Sequence, residues 1–329
     1  MGRRPHGVRT ITAVAMAGVI ALTGGTASAA PPVAAPTGHL SCHGPVLGCV
    51  RDARHILEDV RDRLGCDHRA PFPAIYVQLQ RSLETAVADG GTFDEPSWLA
   101  GSLNTAFVNL YLDAHEADRA GRPVPAAWDA AFEAARTADV NAGQDVLLGA
   151  NAHIQRDMPY VLAALGLTRP GGGTRKTDYD RFQAVLDRAY GPAVQDVARR
   201  YDPLVALADD RWNPIAGLTA GQLLRTWRAQ AWEHALQLAA APDQAARDRV
   251  ARRIETNAAQ WAQLLGTVSV PGYRTVRDEY CRTRPGRELA PAVPAPAGAP
   301  ASTPAGVPAS VAAGVATAVP LPEPAGAAG

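Results

Sequence analysis

The sequence predicts an all-α fold: a single orthogonal, bundle-like helical domain of about eight helices, followed by a disordered C-terminal tail. Three observations predict it. Between residues 42 and 284 the apolar residues recur at spacings of three and four rather than two, the period of one helix face. Glycine and proline punctuate that pattern, at Gly90-Gly91, Gly121-Arg122-Pro123, Pro170-Gly171-Gly172-Gly173 and Pro203. No alternating or β-branched run is long enough to make a convincing strand.

Residues 1–29 read as a signal peptide. Arg3, Arg4 and Arg9 give a positive start, Ile11 to Leu22 is a short uncharged apolar run, and Ala27-Ser28-Ala29 supplies the small-x-small cleavage pattern. A linker at 30–41 leads into the helical domain at 42–284. Its helices are expected at 46–65, 72–89, 95–119, 125–138, 142–166, 177–200, 218–240 and 242–264. Asp94-Glu95-Pro96 opens the third with proline in the first turn, and Thr177 and Thr219 are placed as N-caps. From Ala290 onward the only charged residue is Glu323 and proline recurs every few positions, so residues 285–329 are expected to be a disordered tail.

The four cysteines, Cys42, Cys49, Cys66 and Cys281, all lie in the exported part, which suggests two disulfides. A single helix across 47–64 would hold Cys49 and Cys66 about 25 Å apart at 1.5 Å per residue, beyond the roughly 7 Å that a disulfide can bridge. Two pairings remain: Cys42–Cys49 with Cys66–Cys281, or Cys42–Cys66 with Cys49–Cys281. The formal net charge is zero and no basic run stands out, which argues against a nucleic-acid partner. After the leader, no segment reaches a membrane-spanning length without charges. G-x-S-x-G, P-loop and H-E-x-x-H motifs are absent.

Chemistry-bearing residues concentrate in the fifth helix. Leu147, Ala150, Ile154, Met158, Val161 and Leu165 form its apolar face when residues are placed 100° apart. Asn151 falls inside that face, with His153 and Asp157 as neighbours on its flank. Asp145, Gln155 and Arg156 occupy the narrow outward wedge. Burying unpaired polar groups is costly, so partners are expected. Pro159 removes an N–H in mid-helix and should free the Gln155 carbonyl, kinking the helix beside the pair. On the seventh helix Arg228 lies amid an apolar face and is the expected partner of Asp157, with His234 at the edge and Glu233 turned outward. On the third helix Asp113 and His115 flank the face, and Asp178 opens the sixth as a further carboxylate placed to reach in. His115 and His234 read as surface or packing residues. The tryptophans Trp98, Trp128, Trp212, Trp227, Trp232 and Trp261 read as core.

Asn151-Ala-His153-Ile-x-x-Asp157-Met-Pro159 resembles the N-A-H-I-x-x-D-[LM]-P signature of actinobacterial domain-of-unknown-function family 5995. Gly90-Gly91-x-Phe93, Trp98, Phe107 and Tyr111 are similar to its earlier block, as is Pro125-x-x-Trp128-x-x-Ala131-Phe132. Asp178-Tyr179-x-Arg181 and Arg228-x-x-Ala231-Trp232 resemble its later blocks. The likeness covers about residues 70–240. It implies helical architecture and an inward-facing motif, and carries no activity. His153-x-x-x-Asp157 also resembles the H-x-x-x-D pair of secreted zinc-dependent phospholipase C and S1/P1-type nucleases. Here the proline comes two residues after the aspartate, and no second histidine follows it.

Two functions are compatible with these residues. One is a secreted enzyme, a metal-assisted hydrolase whose catalytic residues are His153, Asp157, Asn151 and Arg228, with His153 and Asp157 as candidate ligands of a single divalent metal such as zinc. The other is a non-catalytic extracellular binding or structural module in which His153, Asp157 and Arg228 form a buried core network. Either would act outside the cell, on an unknown small molecule or extracellular ligand.

Overall fold

The computed structural model describes residues 39–138, 140–207, 220–267 and 272–283. The expected signal peptide, most of the expected linker, the expected tail, Trp212 and the expected cap Thr219 lie outside these residues. Among the described residues the protein is all α. Among these residues the only β-type pairing is an isolated bridge between Thr168 and Thr174.

The helices follow the predicted order. α1 spans Val46–Leu64 and α2 Pro71–Asp89; a π-helical turn at Ser97–Leu103 runs into α3 at Asn104–Arg119; α4 is Ala126–Thr137. The predicted fifth helix is α5 (Ala142–Asn151), a π-helical segment (Ala152–Asp157) and α6 (Met158–Leu165) in unbroken succession. α7 covers Lys176–Arg200, α8 Ala220–Ala239 and α9 Gln244–Gly266. The expectation of about eight helices needs one addition, α10 at Tyr273–Arg282, which buries only Arg277 and Cys281.

Local chemistry sets the ends. Asn141 and Gln144 form a reciprocal capping box at the start of α5, with Asn141 Oδ1 accepting from the Gln144 N–H at 2.9 Å. Asp243 caps α9 through the Ala246 N–H. Thr177 does not cap α7: the helix begins a residue earlier, and Thr174 Oγ1 accepts the Lys176 N–H at 3.1 Å. Asp178, expected to reach toward the central polar pair, turns the other way. Its carboxylate accepts the backbone N–H groups of Asp94 and Glu95 at 2.8 and 2.7 Å, fixing the loop ahead of the π turn.

The core has two main parts. One gathers Leu57, Phe72, Tyr111, Trp128, Leu148 and Trp227 among α1–α5, α8 and α9. The other gathers Leu83, Trp98, Leu162, Tyr179 and Trp232 around α6, α7 and α8. The five described tryptophans are therefore core or packed against it, as predicted. Where α2 crosses α5, Gly149 lets the Phe72 ring lie on the helix backbone; a Cβ there would sit 2.6 Å from Phe72 Cγ and Cδ2.

Of the two disulfide pairings, the structure has Cys42–Cys49 and Cys66–Cys281, with Cα separations of 5.3 and 5.8 Å. The second ties α10 to the turn before α2. Arg277 donates to the Cys66 carbonyl at 2.5 Å, and His68 Nε2 lies 2.9 Å from Asp278 Oδ1.

Candidate functional site

The polar motif sits where the helix changes type. Pro159 has no N–H to give, so the Gln155 carbonyl loses its normal partner. The helix widens ahead of it, and the Met158 N–H donates to the His153 carbonyl, five residues back. The kink predicted at Pro159 is thus a π segment. Helices pack around every side of it. Asn151, His153, Gln155, Arg156 and Asp157 are all buried, with Asn151 and Gln155 fully so.

Asp157 is the hub. Its Oδ2 accepts from Trp128 Nε1 at 2.9 Å and from His153 Nδ1 at 3.0 Å, and its Oδ1 accepts from Arg156 at 3.0 Å. Burial works against its charge, yet the His153 hydrogen bond and the Arg156 charge together hold the carboxyl below its ordinary value. Burial also pulls His153 down, against the pull of Asp157, so the ring is neutral. With an anion facing Nδ1, that nitrogen carries the proton, and Nε2 is left to accept from the Tyr76 hydroxyl at 3.3 Å. Phe107 stacks on the imidazole at a centroid distance of 3.4 Å, and burial keeps the Tyr76 phenol protonated.

Two expectations are corrected here. Arg228 does not pair with Asp157; the neighbouring Arg156 does, and its Nε also donates to Glu255 of α9 at 2.9 Å. Arg156, Gln155 and Asp145 do not face outward. The π segment widens the turn and shifts the phase of the residues after it, which rotates Gln155 and Arg156 toward α8 and α9. With its amide oriented by its neighbours, Gln155 accepts from the indole N–H groups of Trp227 and Trp261 at 3.1 and 3.3 Å. Asn151 donates to the Ala258 carbonyl at 2.8 Å, tying α5 to α9 rather than joining the His153–Asp157 pair. Asp145 lies 3.4 Å from His68 Nδ1, at the far end of α5.

His153 nevertheless borders open space. A cavity of about 460 Å³ runs between α2, α5 with its π segment, α7 and α8. Ile75, Leu79, Leu147, Ile154, Leu186, Ala193 and Val197 make its wall mostly hydrocarbon, with Tyr76, His153 and Arg228 among the polar groups on it. Arg228 is the unusual member. Its guanidinium lies 4.1 Å from the Tyr179 ring centre and 5.3 Å from that of Phe182, and it donates to the Tyr179 carbonyl, while the Tyr179 hydroxyl donates back to the Arg228 carbonyl at 2.9 Å. No carboxylate pairs with it among the described residues.

The residues present do not fit the expected metal centre. Zinc needs three protein ligands at least, and among the described residues no group of three His, Cys, Asp or Glu side chains is placed to hold an ion. Both ring nitrogens of His153 face hydrogen-bonding partners, and both Asp157 oxygens accept from donors of the chain. His115 and His234 are buried away from the pair, and burial lowers both, His115 to about 4. Sequence reasoning missed Tyr76, Glu255 and the cavity itself. Tyr76 was visible only as one aromatic among others in an apolar helix. The cavity has no sequence signal, because wall and core residues share one composition.

No helix is long and apolar enough to cross a membrane among the described residues. No curated protein and no solved structure matches the chain. A family profile does: that of the "Family of unknown function (DUF5995)" matches residues 50–268, well over half of the sequence. The match runs from α1 to the end of α9, a wider span than the motif likeness over 70–240, and it takes in every residue of the hub and of the cavity wall named above. The expected kinship is thereby borne out, and the chain belongs to DUF5995.

Proposed function

We propose that the mature chain is an exported, non-catalytic binding module that encloses an elongated apolar small molecule in the cavity between α2, α5, α7 and α8. The observation that carries this reading is the cavity: about 460 Å³, within the usual 300–1,000 Å³ of small-molecule sites, and walled mainly by hydrocarbon. Export rests on the leader-like start and on two disulfides, which persist in oxidising compartments. In this reading His153 and Asp157 hold α5 in place and present one side of the imidazole to the ligand, Asn151 anchors the same helix to α9, and Arg228 lines the wall. The metal-assisted hydrolase is the weaker reading, because the chain itself occupies the donor atoms that a metal would need.

The uncharged probe N-phenyl-1-naphthylamine tests it. Its fluorescence is expected to rise on binding the native protein with saturation near one equivalent. The variant Ala193→Trp, which fills the cavity from α7, should abolish the rise while keeping the circular dichroism and melting point of a folded protein. Failure of the native protein to bind the probe would overturn the reading.

A further inference from the structure

We infer that the ligand is a single-chain amphiphile with an anionic head group, of the class of long-chain carboxylates, and that Arg228 receives its head. The inference rests on the binding reading above and adds the ligand's charge and length.

A buried cation is stable only with a compensating anion or a full set of acceptors. Arg228 is 4% exposed and lines the cavity, and its one hydrogen bond among the described residues goes to the Tyr179 carbonyl. Among the described residues the carboxylates whose charge favours it are Asp180 and Asp187 of α7. Neither is available: Asp180 is paired with Lys176 at 2.6 Å and Asp187 with Arg225 at 2.7 Å. Cation–π contact with the Tyr179 and Phe182 rings holds the guanidinium against α7 without neutralising it. A guanidinium stays protonated even when buried, so the cavity carries a fixed positive charge with hydrocarbon around it. A carboxylate matches the guanidinium fork in shape and sign.

The length follows from the wall. The α7 residues that line the cavity run from Phe182, beside Arg228, to Val197. Fifteen helical steps span about 22 Å at 1.5 Å each. An extended chain advances about 1.2 Å per bond, by comparison with an extended peptide, so that wall accommodates about eighteen bonds. The charge stands at one end of this run, as an amphiphile requires.

Competition against N-phenyl-1-naphthylamine, with each competitor below its micelle concentration, reads both features on the intact, disulfide-bonded protein. Hexadecanoate is expected to bind at least tenfold more tightly than 1-hexadecanol, and octanoate at least tenfold more weakly than hexadecanoate. Arg228→Met should erase the preference for hexadecanoate over hexadecanol, bringing the ratio of the two affinities to within about threefold of one. Equal affinity of the native protein for hexadecanoate and hexadecanol would overturn the anionic-head inference and leave the cavity reading standing, and this comparison decides even if Arg228→Met does not fold. A preference that survives in folded Arg228→Met would remove Arg228 from the role. If neither the probe nor any chain binds, the cavity reading falls as well.

Discussion

Asp157 shows how much of the site one residue holds. Three donors from α4 and the π segment converge on its two oxygens, and none has another carboxylate at hand except Arg156, which also reaches Glu255. Truncating the acid leaves the Trp128 and His153 N–H groups and part of the Arg156 charge buried without an acceptor. Asp157→Ala is therefore expected to lower stability by about 3–5 kcal/mol, the usual penalty for breaking a buried charge pair. Urea unfolding at pH 7 measures it, and a midpoint like the parent's would show that the network is dispensable. The pair itself was legible in the sequence, because i and i+4 residues face each other on any helix. Its partner was not. A 100° projection assumes an unbroken α-helix, and the π segment breaks the phase just where Gln155 and Arg156 lie. The projection therefore turned Arg156 outward and left Arg228 as the only visible cation.

At the level of elements, punctuation in the sequence carried most of the fold. Glycine and proline clusters marked the gaps between eight amphipathic segments, and each of those segments is helical among the described residues. α10 escaped because half of its ten residues are Arg, Asp or Glu and it buries only two side chains, so it has no apolar core face of its own. The crossing of α2 and α5 also escaped, although one glycine controls it. Gly149→Ala would gain up to about 1 kcal/mol of helix propensity. The new Cβ would meet the Phe72 ring at 2.6 Å, and that ring is already packed edge-on against Tyr111, Trp128 and His153. Overpacking of about 1–3 kcal/mol opposes the gain, so a net loss of up to about 2 kcal/mol is expected in chemical denaturation. Phe72→Leu in the same chain should restore part of it. A variant more stable than the parent would mean that α2 can shift away from α5.

Over the whole molecule, the two disulfides constrain the chain on very different scales. Cys42–Cys49 spans a sequence separation of 7 and Cys66–Cys281 one of 215. Cross-linking removes entropy from the unfolded chain in proportion to the logarithm of the loop, which gives about 2.5 kcal/mol for the short bridge and about 5 kcal/mol for the long one. The long bridge has a second task. α10 buries only Arg277 and Cys281, and its other ties include Arg277 to the Cys66 carbonyl and over the Tyr201 ring, Asp278 to His68, Arg274 to the Thr137 carbonyl at 3.5 Å, and the Tyr280 hydroxyl to the Arg199 carbonyl at 3.1 Å. A ten-residue helix has little stability alone, so α10 depends on the bridge to stay docked. Cys66→Ala/Cys281→Ala is accordingly expected to lower the unfolding free energy by about twice as much as Cys42→Ala/Cys49→Ala. In native-state hydrogen exchange its α10 amides should lose protection well before those of α2 or α5. Equal losses from the two pairs, or an α10 that stays protected in the double variant, would show that packing rather than the covalent link holds the end of the domain.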